Sequence, residues 1–225
     1  MLLGVCCPVV ALSILTAKIW RLSAQRVVSW YRRLAYSSDP VAMCELAIMF
    51  ERGREGLRKD DASAVVWYSK AAEAGDALAM NNLGAMYQKG VGGLRKDDEI
   101  AVGWYRKAVE AGSSVGMNNL GVMYQKGVGG LRKDDEIAVG WYRKAAEAGS
   151  ALAMSNLGVM YQNGAGGLPK DIDEARRWHK KAAALGFPCV EARSAGLLSL
   201  AVETAIDQAK FLRERIDARW PVDSA

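Results

Sequence analysis

A tryptophan recurs every 37 residues, at Trp30, Trp67, Trp104, Trp141 and Trp178, and Met43, Met80, Met117 and Met154 keep the same interval. A fixed period constrains a fold more than any local signal, because every copy must form the same unit and bury its face against the next copy. The copies are close: between residues 80–112 and 117–149 only Ala85/Val122 and Val109/Ala146 differ.

Each copy divides into two helical stretches. Met80, Leu83, Gly84 and Tyr87 fall at i, i+3, i+4 and i+7, one face of a first helix that stops at Gly90. Asp97, Asp98 and Glu99 then crowd the start of a second helix, where an aspartate caps open backbone amides and acids suit the positive end of the dipole. That helix presents Ala101, Trp104, Tyr105 and Ala108 on one face and ends at Ala111 and Gly112, the glycine fitting a left-handed residue after a helix. Neither helix can bury its stripe alone. The pattern therefore predicts an all-α fold: a right-handed α/α superhelical solenoid of antiparallel helix pairs. Trp30, Trp67, Trp104, Trp141 and Trp178, with Leu83, Leu120 and Leu157, are the expected structural core, since a buried indole removes roughly 150–250 Å² from water.

The residues Lys133, Asp134, Ala138, Trp141, Tyr142, Lys144, Ala145, Ala146, Glu147 and Gly149, followed by Ala153, Leu157, Gly158, Tyr161 and Gly164, resemble the Sel-one-like repeat, a relative of the tetratricopeptide repeat. The resemblance covers about Asp39 to Gly186, with a half-repeat at Val27 to Ala35. It implies a curved superhelix that acts as an adaptor in protein complexes, with no shared catalytic residue. Some members are cysteine-rich and linked to β-lactam chemistry, but Cys6, Cys7, Cys44 and Cys189 do not reproduce their regular pairs. Departures occur at both ends: Glu45, Ala47 and Phe50 replace the Asn, Gly and Tyr of later copies, His179 replaces the tyrosine of the Trp-Tyr pair, and Pro169 enters a loop.

Chemistry is sparse. Translational repetition makes every strong motif recur, whereas an active site needs a unique constellation. His179 is the only histidine, with no nucleophile motif or second metal ligand near it in sequence, and it reads as a packing residue in a tyrosine slot. The loops from Gly90 and Gly127 lack the phosphate-loop spacing and follow a helix rather than a strand. Their Arg95, Lys96, Arg132 and Lys133 lie beside Asp97, Asp98, Asp134 and Asp135 and read as a self-balanced rim. No catalytic residue, cofactor or metal is expected.

The candidate binding surface lies on the first helices. Asn82, Asn119 and Asn156, with Asn81 and Asn118, form a ladder away from the apolar stripe, and Gln88, Gln125 and Gln162 form a second one. On the concave side of a solenoid such amides would donate to and accept from the backbone of an extended peptide. The competing reading is that they bond the next repeat. The expected function is thus a non-enzymatic protein-interaction adaptor. A membrane-tethered or exported scaffold is the alternative, and a hydrolase built around His179 comes third.

The net charge of +5 sits in the first 38 residues, where Lys18, Arg21, Arg26, Arg32 and Arg33 meet no acid, so the chain from Asp39 onward is balanced. A balanced body has little counterion-release drive, which argues against nucleic acid. Residues 1–22 are an apolar segment, uncharged from 2 to 17, that fits a signal, an anchor or a helix covering the first pair. Membrane contact, and a cytoplasmic against a membrane-associated or exported location, turn on that segment. Residues 23–38 read as a half-repeat helix and 39–187 as the solenoid. Residues 188–220 read as an amphipathic helix that suits a cap or, through its stripe and Trp220, self-association.

Overall fold

The computed structural model describes residues 26–186, and the expectations for residues 1–22 and 188–220 lie outside them. Among the described residues there are only helices, joined by short loops. The fold is of the α/α solenoid class, with consecutive helices packed in pairs. The helices divide into two units, one ending at Asp134 and the other beginning at Asp135.

The first unit holds α1 (26–36), α2 (Pro40–Arg52), α3 (Asp61–Glu73), α4 (Ala77–Lys89), α5 (Asp98–Glu110) and α6 (Ser114–Lys126). Every boundary has a local cause. Asp76 Oδ1 accepts from the Ala79 amide at 2.6 Å, Asp97 Oδ1 from Ile100 at 2.9 Å, and Ser113 Oγ from Gly116 at 3.1 Å, each satisfying a helix-start amide. Gly53, Gly90 and Gly127 close α2, α4 and α6 in the left-handed region. The loop then turns back on itself: the Asp60 amide donates to the Phe50 carbonyl at 2.9 Å and the Asp97 amide to Tyr87 at 3.0 Å. Gly92, at φ +68°, rests against the Asp61 carbonyl and Val65 at the start of α3, leaving no room for a Cβ.

The core of this unit corrects one expectation. The indoles are not its spine: Trp30 is 39% exposed, and Trp67 and Trp104 are only half-buried. Their faces are covered from outside by lysines one turn on, with Lys70 Nζ 4.8 Å from the Trp67 centroid and Lys107 Nζ 4.2 Å from that of Trp104. The fully buried aromatics are their neighbours Tyr68 and Tyr105. One residue along a helix turns the side chain by about 100°. That turn aims Tyr105 at the bare backbone of Gly84, where a Cβ would come 2.8 Å from the ring, and leaves Trp104 on the flank. Ala64, Ala71, Ala101 and Ala108, with Leu83, Met86, Leu120 and Met123, complete the interior.

The second unit holds α7 (Asp135–Glu147), α8 (Ala151–Asn163) and α9 (Ile172–Ala184). It repeats the same solutions. Tyr142, Leu157 and Met160 are buried, Gly166 rests on the Asp135 carbonyl, and His179 lies against Gly158, where a Cβ would come 2.7 Å from the imidazole. Trp141 and Trp178 are again half-buried under Lys144 and Lys181, so they too leave the expected core. No described helix is long and apolar enough to cross a membrane.

Candidate functional site

The first helix of each pair buries most of its surface, so its outward face is narrow and definable. On α4 the side chains of Leu78, Asn82, Ala85 and Lys89, at i, i+4, i+7 and i+11, fall on a single line along the helix and keep some exposure, as Met80, Tyr87 and Gln88 do on its other sides. The same line on α2 is Val41, Glu45, Ile48 and Arg52, and on α6 it is Val115, Asn119, Val122 and Lys126. Across the first unit these make four rows: aliphatic, polar, aliphatic and basic. In the first aliphatic row Val41 is 61% exposed and Leu78 42%, while Val115 is half-buried. Arg52, Lys89 and Lys126 are exposed at the last turn, where the helix dipole favours a cation. Within the second unit α8 presents Leu152, Asn156, Val159 and Asn163, with an amide in the basic position.

The expected amide ladder splits. Asn82 and Asn119 lie in the outward polar row, whereas Asn81 and Asn118 are buried at 5% and 4% exposure, not turned away from the apolar stripe. The cause is again one residue of helical rotation, which turns 81 and 118 inward. One contact joins two repeats, Asn119 Nδ2 donating to Asn81 Oδ1 at 2.8 Å, while within their own helices Asn81 and Asn118 donate at 3.4 Å to Asn82 and Asn119. Asn82 also hydrogen-bonds the Tyr68 hydroxyl. An amide has two donors and two acceptor lone pairs, so these contacts do not use the whole bonding capacity of Asn82 and Asn119.

The glutamine ladder turns inward as well. Gln88 Oε1 accepts from the Tyr105 hydroxyl at 3.2 Å and its Nε2 lies 3.1 Å from Met123 Sδ, so this side chain serves the core of the first unit. In the first repeat Glu51 takes the same role, accepting from Tyr68 at 2.7 Å. Gln125 is half-buried, and in the second unit Gln162 is exposed.

Electrostatics distinguish the first repeat. Burial, then the nearby Asp76 carboxylate, pushes the Glu45 carboxyl up, against the pull of Arg52 and Arg54. Burial and the hydrogen bond to Asp76 likewise push the Cys44 thiol far up, so it behaves as a small apolar residue. Tyr105 is raised to about 12 by burial and by Asp98. Among the described residues no cluster of three or more His, Cys, Asp or Glu gathers to hold a metal ion.

Sequence reasoning missed the aliphatic rows 41/78/115 and 48/85/122 and the basic row 52/89/126. The signal was available as the complement of the buried stripe, but Leu and Val in a repeat are taken for core until the helix rotation is known.

The Sel1 repeat matches this chain four times in tandem, at residues 40–76, 77–113, 114–150 and 151–187. Among solved structures, a Sel1 repeat protein from Oxalobacter formigenes is similar at 35% identity and a TM-score of 0.65, over 72% of this chain and 65% of that one. The c5321 protein of uropathogenic Escherichia coli, a protective antigen displaying an SLR fold, is similar at 35% identity and a TM-score of 0.61, over 71% of this chain and 33% of that one. The chain thus spans about two thirds and one third of the lengths of these two proteins. Immunity protein Pa5087 of Pseudomonas aeruginosa, at 21% identity and a TM-score of 0.54, shares the fold. No curated protein matches.

Proposed function

Because the chain belongs to the Sel1 repeat family, whose members are generally protein-interaction scaffolds without catalysis, we propose that it is a non-enzymatic adaptor that holds a protein or an extended peptide on the outward stripe of α2, α4 and α6. One observation carries this reading. The same four-row pattern of aliphatic, polar, aliphatic and basic side chains recurs in line on the first helices of three repeats, exposed or half-buried at every position. A repeat that only needed to fold would gain by covering Val41 and Leu78, at about 25 cal/mol per Å² of apolar surface. Left open beside amides with unused bonding capacity, these side chains form a surface that gains from a guest. The balanced charge from Asp39 onward favours a protein over a nucleic acid.

A photo-crosslinking residue introduced at Ala85 or Val122 of the full chain, in its native cell, should trap a discrete protein. The same residue at Arg106, exposed on α5, should not. Equal trapping at all three positions, or trapping only at Arg106, would remove the stripe from the argument.

A further inference from the structure

We infer that the stripe on α2, α4 and α6 takes an acidic peptide in the polyproline II conformation, presenting one carboxylate to each repeat. The inference rests on the reading of that stripe as the binding face and adds the chemistry and conformation of the guest.

The charge argument comes first. Arg52, Lys89 and Lys126 lie in one row, all exposed, and among the described residues none has a carboxylate within ion-pair distance. The rows beside them are aliphatic and amide, with no aromatic ring on which a base could stack. An anionic peptide therefore fits better than a phosphate polymer. Glu45 is the one acid in the stripe, two rows from Arg52, so the first repeat is less suited to an anionic guest than the two that carry Asn82 and Asn119.

The spacing argument fixes the conformation. Asn119 reaches Asn81 directly at 2.8 Å, so α4 and α6 are immediate neighbours. Axes of helices in contact lie about 8–10 Å apart. Three residues of polyproline II rise about 9.3 Å and complete one turn, returning the same kind of side chain once per helix. A β-strand repeats every two residues, about 6.6 Å, and drifts out of phase with the helices. Polyproline II also leaves its backbone amides and carbonyls unpaired, and Asn82 and Asn119 have bonding capacity left to meet them. Carboxylates at every third residue would face the basic row, while aliphatic side chains enter the rows 41/78/115 and 48/85/122.

The test uses the full chain and a fluorescein-labelled synthetic peptide of four Glu-Pro-Leu triplets, read by fluorescence anisotropy. Companion peptides carry Gln-Pro-Leu, Lys-Pro-Leu or alternating Glu-Leu. The Glu-Pro-Leu peptide should bind best. It should weaken about ten-fold or more on Lys89→Glu with Lys126→Glu, two exposed changes checked for folding by circular dichroism, and weaken further with added salt. Val122→Arg, checked for folding by circular dichroism, should abolish it. If the neutral or lysine peptide binds equally well and is still lost on Val122→Arg, the acidic inference falls and the binding face stands. Binding that ignores Val122→Arg and the charge reversals overturns both. No binding of the Glu-Pro-Leu peptide at about 1 mM overturns the inference, and crosslinking at Ala85 then judges the face separately.

Discussion

Cutting two adjacent aromatic residues to alanine separates the buried spine from its flank. Tyr105 is 1% exposed, while Trp104 is half-buried with Lys107 over its outer face. The transfer contributions are similar, because both rings cover on the order of 150–250 Å². The cavity contributions are not. Tyr105 is enclosed by Gly84 and the packed helices around it, so Tyr105→Ala leaves a void of roughly 100 Å³, which adds about 2 kcal/mol at about 24 cal/mol per Å³. Trp104→Ala opens a surface groove that water and the lysine stem can fill. The expected losses are about 4–5 kcal/mol for Tyr105→Ala and about 2–3 kcal/mol for Trp104→Ala, discounted because the denatured chain already shields part of each ring. Guanidinium unfolding of the full chain, followed by far-UV circular dichroism, measures both, and the Tyr68/Trp67 pair repeats the comparison one module away. A loss for Trp104→Ala equal to or larger than that for Tyr105→Ala would refute the assignment of the tyrosines as the spine.

Three further outcomes follow from particular contacts. Gly92→Ala should cost about 2–4 kcal/mol, since it forces a side chain into the left-handed region and against the Asp61 carbonyl; Gly93→Ala, at φ +84° with open space around it, should cost about half as much, and equal melting shifts would contradict the seating of Gly92. Asn119→Ala should destabilise by about 1–3 kcal/mol by leaving the buried Asn81 oxygen without its donor; a double-mutant cycle with Asn81→Ala that shows no coupling would break that link. Glu45 has a raised carboxyl in the folded state, so its favourable contribution is complete below the unfolded value and is lost as pH climbs through the folded one. Glu45→Gln should accordingly gain on the parent in melting temperature from about pH 4.5 upward, and a pH-independent difference would count against it.

The sequence made the helix pairs legible because each boundary is written locally: Asp76, Asp97 and Ser113 cap, Gly90 and Gly127 stop, and the period repeats the message. The interior was misread by one residue of rotation. Trp104 and Tyr105 are neighbours on the same apolar face, and composition favours the larger ring. The Tyr105 ring lies against the bare backbone of Gly84, but one repeat earlier Ala47 stands at that position and Tyr68 is buried all the same, so the choice is made by the rotation of the whole helix and not by one glycine. The same rotation hid the difference between Asn81 and Asn82. Two identical amides in succession carry no mark of which one bridges repeats, and only the helix-to-helix contact assigns Asn81 to the interior. The repeat-bonding reading of the amides holds at Asn119, and it does not exclude the binding reading, because an amide has more bonding capacity than the interior consumes.

On the proposed function, the stripe is also where recognition can vary without loss of fold. Between the near-identical segments 80–112 and 117–149 one of the two differences, Ala85/Val122, falls on the outward stripe, while the tyrosine, glycine and cap positions are the same. Along that row the side chains run Ile48, Ala85 and Val122, so the middle repeat offers the deepest seat. On the proposed reading a guest places its largest apolar side chain over Ala85, between smaller ones over Ile48 and Val122. Ala85→Val fills that seat with methyl groups at a half-buried position, so melting should hardly move. Affinity for a peptide with a large side chain at the central turn should fall about ten-fold, the usual effect of a methylene-scale mismatch in an apolar site. A peptide with alanine at that turn should bind at least as well as before, and if both peptides respond alike, the second aliphatic row does not discriminate among guests.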